Sequence, residues 1–119
     1  MNWDDWDAEI QRILDEFYAR VYSDTMIGYL FSSFDKVELT RSQKAFTKCM
    51  LLGTKYPGRP LGKVHRPLRL KKGHFMRRRK ILLDVLGSSA LPQDIQASWI
   101  EKEQLLFDQV VLTAKECSS

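Results

Sequence analysis

Apolar residues recur along the chain at the three-to-four-residue spacing of α-helices, and no stretch shows the sustained alternation of a strand. The first helix is predicted from about Trp3 to Tyr22, where Asp4 or Asp5 can cap its start. Its apolar stripe comprises Ile10, Ile13, Leu14, Phe17 and Val21. A short helical piece of a turn or two is expected from Met26 to Phe31.

Three further helices and one broken segment complete the prediction. A second helix is expected from about Lys36 to Gly53, because glycine is a natural stop, and one of its faces carries Leu39, Gln43, Phe46 and Met50. Prolines break the chain between Tyr56 and Leu70. A third helix is expected from about Lys71 to Leu86. A fourth follows Pro92, with an inward face formed by Ile95, Trp99, Leu106 and Val110. The predicted fold class is all-α.

Length and composition favour one small globular unit. The 119 residues fit a single domain spanning 1–119, in which a large bound cofactor could add apolar volume to a modest core. No apolar stretch approaches the roughly 20 residues that span a bilayer, and the acidic N-terminus is not typical of a secretory signal. Cys49 and Cys117 suit reduced thiols, so a cytoplasmic location without membrane attachment is expected.

The net charge of +4 is unevenly distributed. Acidic residues dominate the first sixteen positions, whereas residues 59–80 carry most of the arginines. Such a basic region can bind nucleic acid, or it can bind a small dianion such as a pair of carboxylates. It lacks the interleaved aromatic residues that stack on bases, and nucleic acid is therefore the least favoured partner.

Three polar residues are candidates for chemistry. His65 lies just before Pro67, and it is either an ordinary loop histidine or an axial ligand for haem iron. Gln43 shares a helix face with apolar residues, where its amide either bonds a backbone carbonyl or serves a polar ligand. Tyr18 borders the stripe of the first helix, with its hydroxyl either wet or aimed inward as a donor. None of the three is specific by itself.

Taken together, several motifs resemble the truncated, or two-over-two, haemoglobin family. They are Glu16–Val21, Tyr29–Phe31, Leu39–Phe46 with Gln43, Tyr56-Pro57-Gly58-Arg59-Pro60-Leu61, Val64-His65 and Gly73-His74-Phe75. The Tyr-x-Gly-x-Pro segment some five residues before a histidine, with His-Phe about ten residues beyond it, carries most of the specificity. The match covers roughly Ile10 to Leu86, whereas the last helix agrees only in type and length.

The resemblance implies a shortened globin-like sandwich around haem b, iron protoporphyrin IX. By position, His65 would be the proximal iron ligand, and Tyr18 and Gln43 would be the distal hydrogen-bonding pair. The remaining haem-binding positions that it implies are Phe31, Leu39, Phe46, Leu61, Val64, Arg66, Arg69, Phe75 and Arg78. Among these, Arg66, Arg69 and Arg78, together with Lys63, are the candidates to meet the haem carboxylates. His74 would not be a ligand.

The implied function is binding of O2, NO or CO at an iron with an open sixth position. Two hydrogen-bond donors predict slow oxygen release, which suits gas sensing or oxygen-dependent chemistry better than delivery. Conversion of nitric oxide to nitrate is the enzyme-like option, and it would require a separate reductase. The protein is expected to be a monomer or a weak homodimer.

Three departures from the family pattern keep a second hypothesis open. The glycine pair that usually follows the first short helix is absent, Thr47 replaces a frequent second aromatic, and Arg78 stands where a tryptophan or an apolar residue is usual. A globin-like domain without haem, acting in protein interaction or regulation, is the alternative. Absorption by haem in the purified protein distinguishes the two.

Overall fold

The computed structural model describes the backbone of residues 3–54 and 72–118, and the side chains of residues 3–54 and 72–105. The helices are α1 (Trp3–Ser23), α2 (Lys36–Leu52), α3 (Lys72–Gly87) and α4 (Gln93–Ser118), with a 3-10 helix at Gly28–Phe31 between α1 and α2. Helix α1 packs against both α2 and α3, and α4 packs against α2 and α3. The described part of the chain is therefore an all-α assembly, as predicted.

Helix α1 supplies most of the core. Its predicted stripe is buried throughout, and Ile10, Ile13 and Val21 have no solvent exposure. Burial of one such side chain is worth about 1.5–3 kcal/mol, so this stripe is a main source of stability. It meets Leu82 and Val85 of α3 and Trp99 of α4 in one apolar cluster.

The corner between α1 and α2 is closed by tight backbone packing. At Gly28 an added Cβ would lie 2.7 Å from the carbonyl oxygen of Tyr22, so only glycine fits there without a shift. The Tyr22 hydroxyl donates a hydrogen bond to the carbonyl oxygen of Phe34 at 3.0 Å, and its ring contacts Phe31. The 3-10 helix is thereby fixed against the end of α1.

Helix α2 has clear signals at both ends. Asp35 accepts a hydrogen bond from the backbone N–H of Glu38 at 3.0 Å, which satisfies an N-terminal donor. Gly53 adopts φ 72°, a left-handed conformation that terminates the helix as predicted. From α4, the Lys102 ammonium donates to the carbonyl oxygens of Met50 and Leu51 at 3.0 and 3.2 Å, and it caps the last turn of α2.

The orientation of α2 differs from the simplest sequence expectation. Its buried residues are Thr40, Thr47 and Leu51, whereas the predicted apolar face is only half-buried. Thr40 tolerates burial because its hydroxyl donates to the carbonyl oxygen of Lys36 at 2.7 Å. The helix is rotated so that the predicted face borders a cavity instead of filling the core.

The predicted helix boundaries agree with the structure within one or two residues at the ends that are described. The prediction for Lys71 and for the proline-rich Tyr56–Leu70 lies outside the described residues. No helix in the described ranges combines the length and apolar character needed to cross a bilayer.

An ion pair with one buried partner, Asp24, joins α3 to the turn after α1. The Asp24 carboxylate, only 6% exposed, pairs with the Arg77 guanidinium at 2.7 Å and accepts the backbone N–H groups of Met26 and Ile27. The hydrogen bond from Arg77 lowers the pKa of Asp24 most, and the two backbone N–H groups lower it further. Together these interactions outweigh the effect of burial and hold the pKa of Asp24 below its ordinary value.

The close approach at Gly28 predicts a stability loss on substitution. Gly28→Ala should lower the free energy of unfolding by about 1–3 kcal/mol, because the new methyl group would collide with a backbone carbonyl that cannot move freely. Gly73→Ala is the matched control, since nothing lies within 4 Å of its added Cβ, and it should leave stability unchanged or raise it slightly. Urea unfolding measures both, and equal losses would contradict the expectation.

The lowered pKa of Asp24 predicts a specific acid sensitivity. The ionised carboxylate stabilises the folded state at pH values above its unfolded pKa, and this contribution disappears as pH falls through the folded pKa. Asp24→Asn should therefore reduce stability at neutral pH and flatten the loss of stability between about pH 5 and pH 2. Asp94→Asn, at an exposed position in the first turn of α4, is the control. Parallel pH profiles for wild type and Asp24→Asn would refute the assignment.

Candidate functional site

A pocket opens between all four helices. Its walls are mainly apolar side chains from α1, α2, α3 and α4: Leu14, Phe17, Phe46, Met50, Phe75, Met76, Leu82, Trp99 and Ile100. The space between the walls, including its open mouth, measures about 880 Å³. Apolar walls with a few polar side chains at the border are typical of sites that hold cofactors and other small molecules.

Two polar side chains on neighbouring helices border this apolar space. Tyr18 reaches it from α1 and is 3% exposed, and Gln43 reaches it from the half-buried face of α2. The Tyr18 ring is stacked edge-on against Phe17, with centroids 4.9 Å apart. The structure thus brings together the two residues that the resemblance assigned to the distal side.

A charged pair also borders the pocket. The Arg78 guanidinium of α3 forms an ion pair with the Glu103 carboxylate of α4, and the two side chains are 22% and 20% exposed. The same guanidinium lies over the Phe17 ring, 4.9 Å from its centroid. A cation on an aromatic face gains attraction from the ring, and the carboxylate offsets the cost of removing the charge from water.

The surroundings of Tyr18 keep its hydroxyl protonated. Burial raises the pKa of Tyr18, and the nearby charge of Arg78 together with its hydrogen bond to Tyr18 offsets only part of this effect. For Arg78, burial acts against the charged form, but Glu103 and Tyr18 outweigh it and raise the pKa of the guanidinium. At neutral pH the pocket therefore holds a neutral phenol beside a permanent cation.

The basic run of α3 is extensively partnered. Arg77 pairs with Asp24, Arg78 with Glu103, and Lys80 with Asp84, while Arg79 donates to the Gln104 side chain. These charges are used to join α3 to its neighbours or are neutralised locally. The arrangement does not favour a polyanion-binding surface on this helix.

The other predicted site residues fall in several places. Phe46 and Phe75 line the pocket, whereas Phe31 is buried beside a smaller cavity that also touches Phe75 and Arg78. Leu39 packs against the core without lining the pocket. His65, Leu61, Val64, Arg66 and Arg69 lie outside the described residues, so their roles stay predictions. A contact between Arg78 and a haem carboxylate also stays a prediction, because the Arg78 guanidinium is paired with Glu103 in this structure.

Sequence analysis missed Glu103 as a pocket residue. It stands four residues after Trp99, on the side of α4 predicted to face inward, and a carboxylate on such a face signals a buried cation nearby. Thr47 was noted only as a departure from the family pattern. It is 4% exposed and forms part of the pocket wall.

Comparison with known proteins agrees with this architecture. A model of bacterial-like globins matches residues 6–109. The chain belongs to the bacterial-like globin family. Two curated relatives are each named group 1 truncated hemoglobin GlbN: one from Nostoc commune is 33% identical over 67 residues, and one from Nostoc sp. (strain MUN 8820) is 31% identical over 67 residues. Each match covers 56% of this globin and 57% of the relative.

Membership of the globin family implies a haem cofactor, and the described pocket fits one. Haem presents a flat apolar ring, and the pocket offers aromatic and aliphatic walls, with Tyr18 and Gln43 among the polar side chains at its border.

Proposed function

We propose that this globin binds haem b and uses it to bind a small diatomic ligand, O2, NO or CO. The observation that supports the proposal most directly is that Tyr18 and Gln43 line one pocket whose walls are mainly apolar. Two hydrogen-bond donors at the border of a mainly apolar pocket suit a small polar ligand.

His65 is proposed as the proximal ligand, on the strength of its position in the family motif. Haem iron held on one side by imidazole supplies an open coordination position for a diatomic ligand. Tyr18 and Gln43 line the pocket from α1 and α2, and they are proposed to lie on the face of the haem opposite His65. Arg66 and Arg69, close to His65 in sequence, are proposed to meet the carboxylates.

Tyr18 and Gln43 are proposed to hold the ligand by donating hydrogen bonds. The raised pKa of Tyr18 keeps its O–H available as a donor at neutral pH. A hydrogen bond to a partly charged acceptor is worth about 1–3 kcal/mol, so each donor would slow release of a polar ligand roughly tenfold or more. Carbon monoxide, which is less polar than bound oxygen, would gain less.

Slow release favours oxygen-dependent chemistry or sensing over oxygen delivery. Conversion of nitric oxide to nitrate by this globin is the enzymatic version of the proposal, and it would require an external reductase. We further propose a single domain over residues 1–119, in the cytoplasm, as a monomer or weak homodimer.

A domain without haem is the second candidate function, favoured by one observation. The Arg78–Glu103 pair occupies part of the pocket border, where globin-family resemblance implies an apolar residue or a tryptophan at position 78. In that case the helical scaffold would serve protein interaction or regulation. The two candidates make opposite predictions about haem uptake.

The proximal assignment is tested by haem titration of the purified globin. Wild type should take up one equivalent of haem and develop a Soret absorption band, and His65→Ala should lose the normal ferrous spectrum because the iron loses its imidazole ligand. His74→Ala is the matched control and should keep the wild-type spectrum. Absence of a Soret band in wild type would favour the haem-free candidate, and an unchanged spectrum in His65→Ala would exclude that residue as ligand.

The distal assignment is tested by oxygen release from the ferrous protein. Tyr18→Phe and Gln43→Leu should each speed release by about tenfold, since each removes one hydrogen-bond donor from the pocket. Tyr29→Phe, at a side chain that is 65% exposed, is the control and should change the rate less than twofold. Rates equal to wild type in both pocket variants, measured by stopped-flow spectroscopy, would remove the distal pair from the proposal.

A further inference from the structure

Three charged side chains line the described part of the pocket. Arg78 and Arg79 reach it from α3, and Glu103 reaches it from α4. A charge at the border of an apolar space acts on a ligand inside even without touching it, because an apolar environment screens charges far less than water does. The three side chains therefore affect which ligands the pocket accepts.

The apolar walls of the pocket are well shielded from water, whereas its charged border is not. Leu14, Phe17 and Trp99, which line the pocket from α1 and α4, are at most 3% exposed. The side chains of Arg78 and Glu103 are 22% and 20% exposed. The effect of one such charge on a ligand is therefore intermediate between the weak interaction in water and the strong interaction in a dry interior.

Arg78 and Glu103 act on a ligand as a pair. The guanidinium and the carboxylate are in direct contact, and the guanidinium also lies over the Phe17 ring, 4.9 Å from its centroid. When two opposite charges lie this close together, their effects on a third charge farther away largely cancel. Arg79 differs, because it donates to the uncharged side chain of Gln104, which does not neutralise its guanidinium.

We propose that Glu103 is a specificity-determining residue that lowers the affinity of the pocket for anionic ligands and leaves its affinity for uncharged ligands unchanged. The two guanidiniums and one carboxylate give the described lining a formal charge of +1, and the lining would carry +2 without the carboxylate. The inference deepens the proposed function and rests on it, because it concerns ligands of the same site. O2, NO and CO are uncharged, whereas azide and nitrite are anions that also bind iron.

A purely structural role for Glu103 makes a different prediction. The Arg78–Glu103 ion pair joins α3 to α4, and the adjacent Arg79–Gln104 hydrogen bond joins the same two helices. Loss of a structural contact would alter the binding of anionic and uncharged ligands alike, or it would lower stability. An effect that depends on the charge of the ligand identifies an electrostatic role.

The first test compares azide binding to the ferric haem protein with carbon monoxide binding to the ferrous protein, both at full haem occupancy. Glu103→Gln should raise the azide affinity by about threefold to tenfold, because the charge of Arg78 is then no longer compensated, and should change the carbon monoxide affinity by less than about twofold. Glu101→Gln is the matched control. It removes the same charge at an exposed position of the same helix, where solvent screens it, and should change the azide affinity by less than about twofold.

Combined substitutions test whether the sum of the charges determines the effect. Arg78→Met should weaken azide binding, and Arg78→Met combined with Glu103→Gln should return the azide affinity to within about twofold of wild type, since the lining charge is again +1. An azide affinity in Glu103→Gln that equals wild type or falls below it would overturn the proposal. Equal gains for azide and carbon monoxide would also overturn it, because they would indicate a change in the shape of the pocket.

A second measurement needs no haem. The haem-free protein is titrated with two fluorescent apolar probes, the anionic anilinonaphthalene sulfonate and the uncharged Nile red. Glu103→Gln should bind the anionic probe about threefold to tenfold more tightly and leave the affinity for the uncharged probe unchanged, while Glu101→Gln should match wild type for both. No gain for the anionic probe, or an equal gain for both probes, would contradict the proposed role of Glu103.

The outcomes distinguish failure of the proposed function from failure of this inference. If wild type takes up no haem, the proposed function fails, and the two probes alone decide the role of Glu103. If haem and carbon monoxide bind but Glu103→Gln changes the affinity for neither azide nor the anionic probe, the proposed function stands and the role of Glu103 in specificity is wrong. If neither haem nor either probe binds, both are wrong.

Discussion

Burial of one face of α1 is the interaction on which the described fold depends. Ile10, Ile13, Phe17 and Val21 are almost completely removed from water, and they contact helices that are distant in sequence. Because α1 packs against both α2 and α3, its position sets the distance between these two helices. The pocket exists where that packing stops, at Tyr18 and Leu14 on the edge of the same face. The apolar core and the candidate ligand site are thus two parts of one helix surface.

The Arg78 guanidinium and the Tyr18 hydroxyl are tolerated at the border of this site because they interact with groups of suitable chemistry. The charge of Arg78 is compensated by Glu103 and by the face of Phe17, and the Tyr18 hydroxyl interacts with Arg78. Unpaired, such groups would cost several kcal/mol in an apolar environment. The departure of Arg78 from the usual family pattern is therefore accommodated by a second charge on α4, so that residues 78 and 103 are best regarded as one unit.

Sequence periodicity was sufficient to predict the all-α class, the stripe of α1 and the end of α2 at Gly53, because these depend on local preferences and one-sided burial. Motif resemblance pointed to Tyr18, Gln43, Phe46 and Phe75, which the structure places around one pocket. The pairing of Arg78 with Glu103 could not be predicted, since it depends on the rotation of α3 relative to α4. For the same reason the rotation of α2, which buries Thr40 and Thr47, was not visible in a pattern dominated by Leu39 and Phe46.

The partnering of the α3 basic run changes where the positive charge of this globin is concentrated. Residues 55–71 contain six lysines and arginines and no acidic residue, so the remaining sequence carries a formal charge of −2 within a total of +4. In the proposed haem complex, electrostatic attraction of the dianionic cofactor would therefore originate in the sequence around His65. Raising the ionic strength would screen that attraction, while the apolar walls built by α1 and α2 would retain their affinity for the porphyrin. Electrostatic attraction of the cofactor and its apolar retention would thus come from different stretches of the chain.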